Sequence, residues 1–333
     1  MSSTATPSQL IRPAVARGSH PVETTRYVIP TPPIQSLSLT VTHWIHNRVP
    51  GAVIYNRPRT GKTRAIRFLN QLLPEIFGPQ LQIINMLCRE YRIASEGTFF
   101  EDLLRASGHT MWSSGKTSAK RHRLNQYLIE KVERSNQNRL VFFLDEAQKL
   151  HEPQYNWLID VYNELDQRDV APIILLVGQD ELLNQCNAFQ QTQKTQILGR
   201  FMVHQFHFRG LKNLTDIKSC LAAYDEVEFP SESGWSFTSY FFPNAHQLGF
   251  RLKDAASDVW QAFKETKENY CLPGTLEIPM QYFCTAVETM LKNHTSFEVK
   301  PNLSMRMWKD CVEKSGYVAA NRYSQTEDDN ERQ

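Results

Sequence analysis

Long apolar runs, paired cysteines and an overall charge are all missing from this sequence, and each absence removes a class of function. Nothing approaches the roughly 20 consecutive apolar residues that a membrane helix requires, and no signal peptide pattern is found. No membrane partner is therefore expected. The six cysteines (Cys88, Cys186, Cys220, Cys271, Cys284, Cys311) are scattered, with no CxxC pair and no histidine at metal spacing. That pattern speaks against a disulfide framework and for reduced thiols in a cytoplasmic protein. A formal net charge of +2 means that any nucleic-acid surface must be local. What is present is ordinary for a soluble globular chain: 41% hydrophobic and 22% charged residues over 333 positions, enough for one large domain and a smaller one.

Residues 1–34 contain Pro7, Pro13, Pro21, Pro30, Pro32 and Pro33 among many Ser and Thr, and such a segment is expected to be a flexible arm. Residues 319–333, which include Glu327-Asp328-Asp329-Asn330-Glu331, are expected to be a solvated acidic tail. Between them, apolar strands alternate with helices. Strands are expected at 52–55, 81–87, 140–144, 173–177 and 202–208; helices at 64–73, 99–106, 118–135, 154–167 and 180–186. This alternation implies an α/β domain over 35–212, with a parallel five-stranded sheet covered by helices on both faces. Residues 213–318 lose the strand signal. Helical patterns at 214–224, 245–268, 279–293 and 303–315 point to a small α-helical domain.

The first expected strand runs into Asn56-Arg57-Pro58-Arg59-Thr60-Gly61-Lys62-Thr63-Arg64, and a helix follows. Strand, loop ending in Gly-Lys-Thr, then helix is the order a nucleotide phosphate cradle requires. Backbone N–H groups wrap the phosphates, Lys62 reaches the outer ones, and the Thr63 hydroxyl ligates magnesium. Asn56 stands where the pattern asks for glycine; asparagine enters left-handed backbone space at low cost, which would let the loop form. A second Gly-Lys-Thr, Gly115-Lys116-Thr117, has no strand before it and is read as a decoy for nucleotide.

Leu140–Leu144 delivers Asp145 and Glu146 at a strand end. Downstream of a phosphate loop, Asp145 suits the Mg2+ site and Glu146 the activation of a lytic water. The competing reading is an acidic helix N-terminus, favourable in its own right. Gln179, after the fourth strand, is placed to sense the γ-phosphate, although a helix start explains it too. Arg200, at a helix end before the fifth strand, suits an arginine finger reaching a neighbouring subunit's nucleotide. Arg251 suits a lid arginine, with a surface salt bridge as the plain alternative.

Together these residues resemble an AAA+ ATPase, over roughly residues 35–265. LDEAQKL, LLVGQDELL and the Gly-Arg-Phe before the fifth strand are similar to the transposition-regulator group containing TnsC, TniB and MuB. The compact length and Pro-rich arm look like TnsC of CRISPR-associated transposons. The resemblance implies an AAA+ P-loop fold with a helical lid and ATP as the nucleotide. It further implies a homo-oligomeric ring or filament on double-stranded DNA, and partners in a transposase and a TniQ-type targeting protein of a bacterial cytoplasm.

Gly115–Arg123 concentrates cations at a helix start, where the macrodipole favours anions. Lys116, Thr117, Lys120, Arg121 and Arg123 are therefore expected to grip the DNA backbone irrespective of sequence. A solvated basic face is the plain reading, and Lys149 or the Arg12/Arg17 arm is the alternative location. Two further functions stay open: a replication initiator or helicase/clamp loader, and a scaffold that binds nucleotide without hydrolysing it.

Overall fold

The computed structural model describes residues 12–295, 298, 301 and 303–322. Residues 1–11 of the expected arm and 323–333 of the expected acidic tail lie outside the described residues.

Five strands, β1 (Gly51–Tyr55), β2 (Gln82–Leu87), β3 (Arg139–Asp145), β4 (Ala171–Gly178) and β5 (His204–His207), form one parallel sheet in the order β2-β3-β4-β1-β5. The near-continuous apolar character of the inner strands β1, β3 and β4 follows from burial on both faces: Leu140 to Leu144 and Ile173 to Val177 are all buried, whereas β5 at the edge is polar and largely exposed. Helices Glu96–Ala106 and Thr117–Ser135 contribute Phe99, Phe100, Leu103, Leu124 and Leu128 to the same core as Phe142, Leu144, Ile174 and Leu176. Burying each such side chain stabilises the fold by roughly 1.5–3 kcal/mol.

Register determines what the sheet presents. Tyr55 pairs with Gly178 and with His207, and Asp145 pairs with Val177 and with Leu87. All C-terminal ends therefore lie along one edge, where ligands bind in open α/β sheets. Because β4 separates β1 from β3, the residue after Gly178 stands between the loop after β1 and the carboxylates ending β3.

The chain divides into two compact units, residues 34–208 and residues 1–33 together with 209–333. The second unit is helical, built on Leu214–Glu226, Ala256–Asn269, Met280–Asn293 and Met305–Lys314. The single helix expected over 245–268 is broken instead. It is divided into Pro243–Gln247, a 3-10 turn Leu252–Ala255 and the helix from Ala256, with Gly249 at φ +98° in between.

Residues 12–33 correct the expectation of a flexible arm. Val22 and Ile29 belong to the core of the helical unit. The Tyr27 hydroxyl lies 2.6 Å from that of Tyr224 and donates to Glu288 Oε1 at 2.8 Å. His20 Nδ1 accepts from the Val22 N–H at 3.2 Å, and its ring stacks on Tyr240 with Phe229, Phe237 and Phe241 edge-on around it. A Pro-rich composition hides a few well-placed anchors, and those anchors suffice. The helix Pro32–His46, with Ile34, Leu37, Val41 and Ile45 buried, was likewise not anticipated. Its signal was legible in the 3–4 residue spacing and in prolines at the first helical positions.

Candidate nucleotide site

The loop after β1 turns through Arg59 at φ +68° and Gly61 at φ +106°, and helix Lys62–Phe77 starts directly behind it. Gly61 offers no side-chain cap. The first-turn N–H groups of that helix thus have no capping side chain, the arrangement that suits an anion. Thr60 Oγ1 donates to the Arg57 carbonyl at 3.1 Å and closes the turn.

Asn56 works differently from expectation. Its φ is not among the positive values, so left-handed tolerance is not what it contributes. Its side chain, 3% exposed, donates from Nδ2 to the Phe208 carbonyl at 2.6 Å and accepts the Arg57 N–H on Oδ1 at 2.6 Å. The glycine position has become a strut that ties the loop to the end of β5.

Lys62 is 7% exposed, and its Nζ donates to the carbonyls of Asn56 (2.6 Å) and Arg57 (2.9 Å). Burial pushes its ammonium below the ordinary pKa, while the carboxylates of Asp180, Glu146 and Asp145 pull it upward. Across the edge, Thr63 Oγ1 donates to Asp145 Oδ2 at 2.8 Å. Burial raises the Asp145 carboxyl above the usual carboxylate range, opposed by the Thr63 hydroxyl and the Glu146 N–H. An anion at Lys62 and a cation at Asp145 would each favour the charged forms. A lysine with uncapped amides fits phosphate, and a hydroxyl beside a carboxylate fits a hard cation such as Mg2+.

Glu146 sits at φ +58° and ψ +37°. Its Oε2 accepts from Gln148 Nε2 at 2.9 Å and lies 3.4 Å from Lys149 Nζ. Lys149 is thereby engaged with this carboxylate. The Gln179 N–H donates to Gln148 Oε1 at 3.2 Å. Asp145, Glu146 and Gln179 are thus brought to the same edge as Lys62 and Thr63. Gln148 was not singled out from sequence, because a polar residue after an acidic pair carries no spacing signal of its own, and Lys149 was named only as an alternative DNA contact.

Arg200 lies in a π-helical turn, Leu198–Met202, with its guanidinium 4.6 Å from the centre of the Tyr162 ring. A Cβ at Gly51 would come within 2.8 Å of the Arg200 carbonyl and 2.9 Å of Phe201 Cα, so only glycine lets that turn pack on β1. Arg251 belongs to the helical unit, where its Nη1 donates to the carbonyls of His246 (3.0 Å) and Phe250 (2.8 Å).

The basic stretch at 116–123 is engaged within the fold to an extent that its local charge did not suggest. Lys120, 8% exposed, is ion-paired with Glu101. Arg121 bridges Asp160 (2.6 Å) and Glu96 (3.3 Å). Arg123 Nη1 donates to the carbonyls of Met111 and Ser114 at 2.9 and 2.8 Å. The carboxylates come from the adjacent helices Glu96–Ala106 and Glu152–Asp166, beyond the reach of a local reading of charge. Lys116 remains exposed and Thr117 half-buried at a helix start that has no side-chain cap. Helix Glu96–Ala106, not a strand, precedes this second Gly-Lys-Thr.

A loop ending in Gly-Lys-Thr, a helix, and an acidic strand end separated from β1 by an intervening strand thus lie at one sheet edge. Residues 51–186 match the AAA domain family. The fold is that of an AAA+ P-loop domain, a parallel five-stranded sheet flanked by helices, followed by further helices. Among solved structures, the chain is similar to the ORC2 protein of Aeropyrum pernix in ADPNP–ADP complexes. That match has a TM-score of 0.53 and 13% identity, covering 89% of this chain and 71% of that one. It is also similar to a Walker-type ATPase of Pyrococcus abyssi, with a TM-score of 0.50 and 14% identity, covering 90% of this chain and 75% of that one. No curated protein matches by sequence.

Proposed function

We propose that the protein is an ATP-hydrolysing AAA+ switch that assembles on duplex DNA and regulates transposition. The observation that carries the enzymatic part is the 2.8 Å hydrogen bond from Thr63 Oγ1 to Asp145 Oδ2. It joins two distant motifs into one candidate Mg2+ site beside Lys62. When bound, Mg2+ would neutralise the developing charge on the β- and γ-phosphate oxygens. Lys62 and the first-turn amides hold the phosphates, Thr63 and Asp145 hold the cation, Glu146 accepts the proton of the attacking water, and Gln179 orients the γ-phosphate. Arg200 completes the site of an adjacent copy.

Phosphate release measured for wild type, Lys62→Ala and Glu146→Gln tests this. The expected result is hydrolysis by wild type alone, with Glu146→Gln retaining nucleotide. Equal rates for wild type and Glu146→Gln would leave a nucleotide-locked scaffold as the better account. ADPNP, held by the A. pernix ORC2 protein, is the natural probe of binding without turnover.

The transposition role rests on the likeness of LDEAQKL and its companion motifs to the TnsC/TniB/MuB group. It predicts capture of a transposase and a TniQ-type targeting protein. A replication initiator or loader is the second reading, and its support is that the fold similarity to ORC2 extends over 89% of the chain. Capture of a helicase or clamp in place of a transposase would favour it. DNA contact, on either reading, is proposed through Lys116 and Thr117.

A further inference from the structure

We propose that Gln148 is a positioning residue that couples the Glu146 carboxylate to the end of β4; this rests on the hydrolytic reading of the site. One amide group spans the two. Its Nε2 donates to Glu146 Oε2 at 2.9 Å, and its Oε1 accepts the Gln179 N–H at 3.2 Å. Only a side chain with both a donor and an acceptor bridges a carboxylate and a peptide N–H in this way.

The surroundings are built for that amide. A Cβ at Gly178 would overlap Gln148 Oε1 and approach Leu182 Cδ1 to 2.7 Å, so the glycine that ends β4 makes room for the bridge. The Gln148 backbone is fixed from the other side. Gln185 Nε2 donates to the Gln148 and Leu150 carbonyls at 2.7 and 3.1 Å, and the Tyr155 hydroxyl holds Gln185 Oε1 at 2.8 Å. Glu146 is a non-glycine residue at φ +58°, a conformation that persists when its surroundings over-determine it. Gln148 supplies that determination, with Lys149 Nζ 3.4 Å from the same oxygen. A displacement of Gln179 by a bound phosphate would thus be felt at the general base through a single side chain.

The test combines steady-state hydrolysis with amide exchange of Gln179 in nucleotide-free protein, for wild type, Glu146→Gln, Gln148→Met and Gln148→Glu. Gln148→Met keeps the length and loses both hydrogen bonds. It should lower kcat by about tenfold or more with KM for ATP within about twofold, and should speed Gln179 exchange. Gln148→Glu restores the acceptor but not the donor, so exchange should slow again while kcat stays low. Recovery of kcat together with slow exchange in Gln148→Glu would make the contact merely structural and overturn the proposal. So would Gln148→Met turning over like wild type while Glu146→Gln is inactive. Glu146→Gln turning over like wild type would instead overturn the hydrolytic reading itself, and the positioning role with it.

Discussion

Asn56 invites a substitution that looks like a repair. Asn56→Gly restores the usual residue of a phosphate loop, yet it removes the donor to the buried Phe208 carbonyl and the acceptor of the Arg57 N–H. The expected outcome is a loss of about 1–3 kcal/mol in urea unfolding, with no gain in nucleotide affinity. His20 offers a second test at this scale. It is fully buried, burial lowers its pKa to about 4, Glu23 works against the shift and Arg12 adds to it. The folded state therefore resists a proton that the unfolded chain accepts near its ordinary pKa of 6.5. The neutral ring's contribution is complete above the unfolded value and is lost as the pH falls through the window down to the folded one. It amounts to at most about 3 kcal/mol. Urea unfolding of wild type at pH 7 and pH 4.5, set against His20→Gln, should show a steeper loss in wild type.

At the scale of elements, β1 is confined by its neighbours more than by its own residues. Gly51→Ala would force a methyl within 2.8–2.9 Å of the backbone at Arg200, Ile174 and Phe201. It should destabilise the 34–208 unit by about 1–3 kcal/mol, read as a lower Tm. β1, β3 and β4 were legible because burial on both faces leaves a nearly uninterrupted apolar signature, whereas β2 and the edge strand β5, with polar and exposed residues, carry a weaker one. The meeting of Lys62, Thr63, Asp145 and Glu146 at one sheet edge was legible too, since a loop and a strand end advertise themselves by spacing. Two things were not. The anchors Val22 and Ile29 are single residues in a segment whose composition argues for disorder. The partners of Lys120 and Arg121 lie on other helices, and only tertiary structure brings Glu101, Glu96 and Asp160 to them.

For the molecule as a whole, those ion pairs redirect the DNA question. Lys116→Ala should weaken binding to all duplex sequences alike and reduce the salt slope by about 1. Lys120→Ala should leave the slope unchanged and lower stability instead, since it strands Glu101 at the interface of two helices. Filter binding across a salt series with a thermal melt of each variant separates the two; a slope change in Lys120→Ala alone would return DNA to the original cluster.

The union of residues 1–33 with 209–333 gives the chain an order of assembly. The α/β unit is one continuous stretch and can be completed while synthesis is still under way. The helical unit is interrupted by it, so Val22, Ile29 and Tyr27 must wait, exposed, until the polypeptide beyond Arg209 has left the ribosome. A fragment ending near residue 208 would carry those orphaned side chains as a sticky leader, whereas one spanning 34–208 would not.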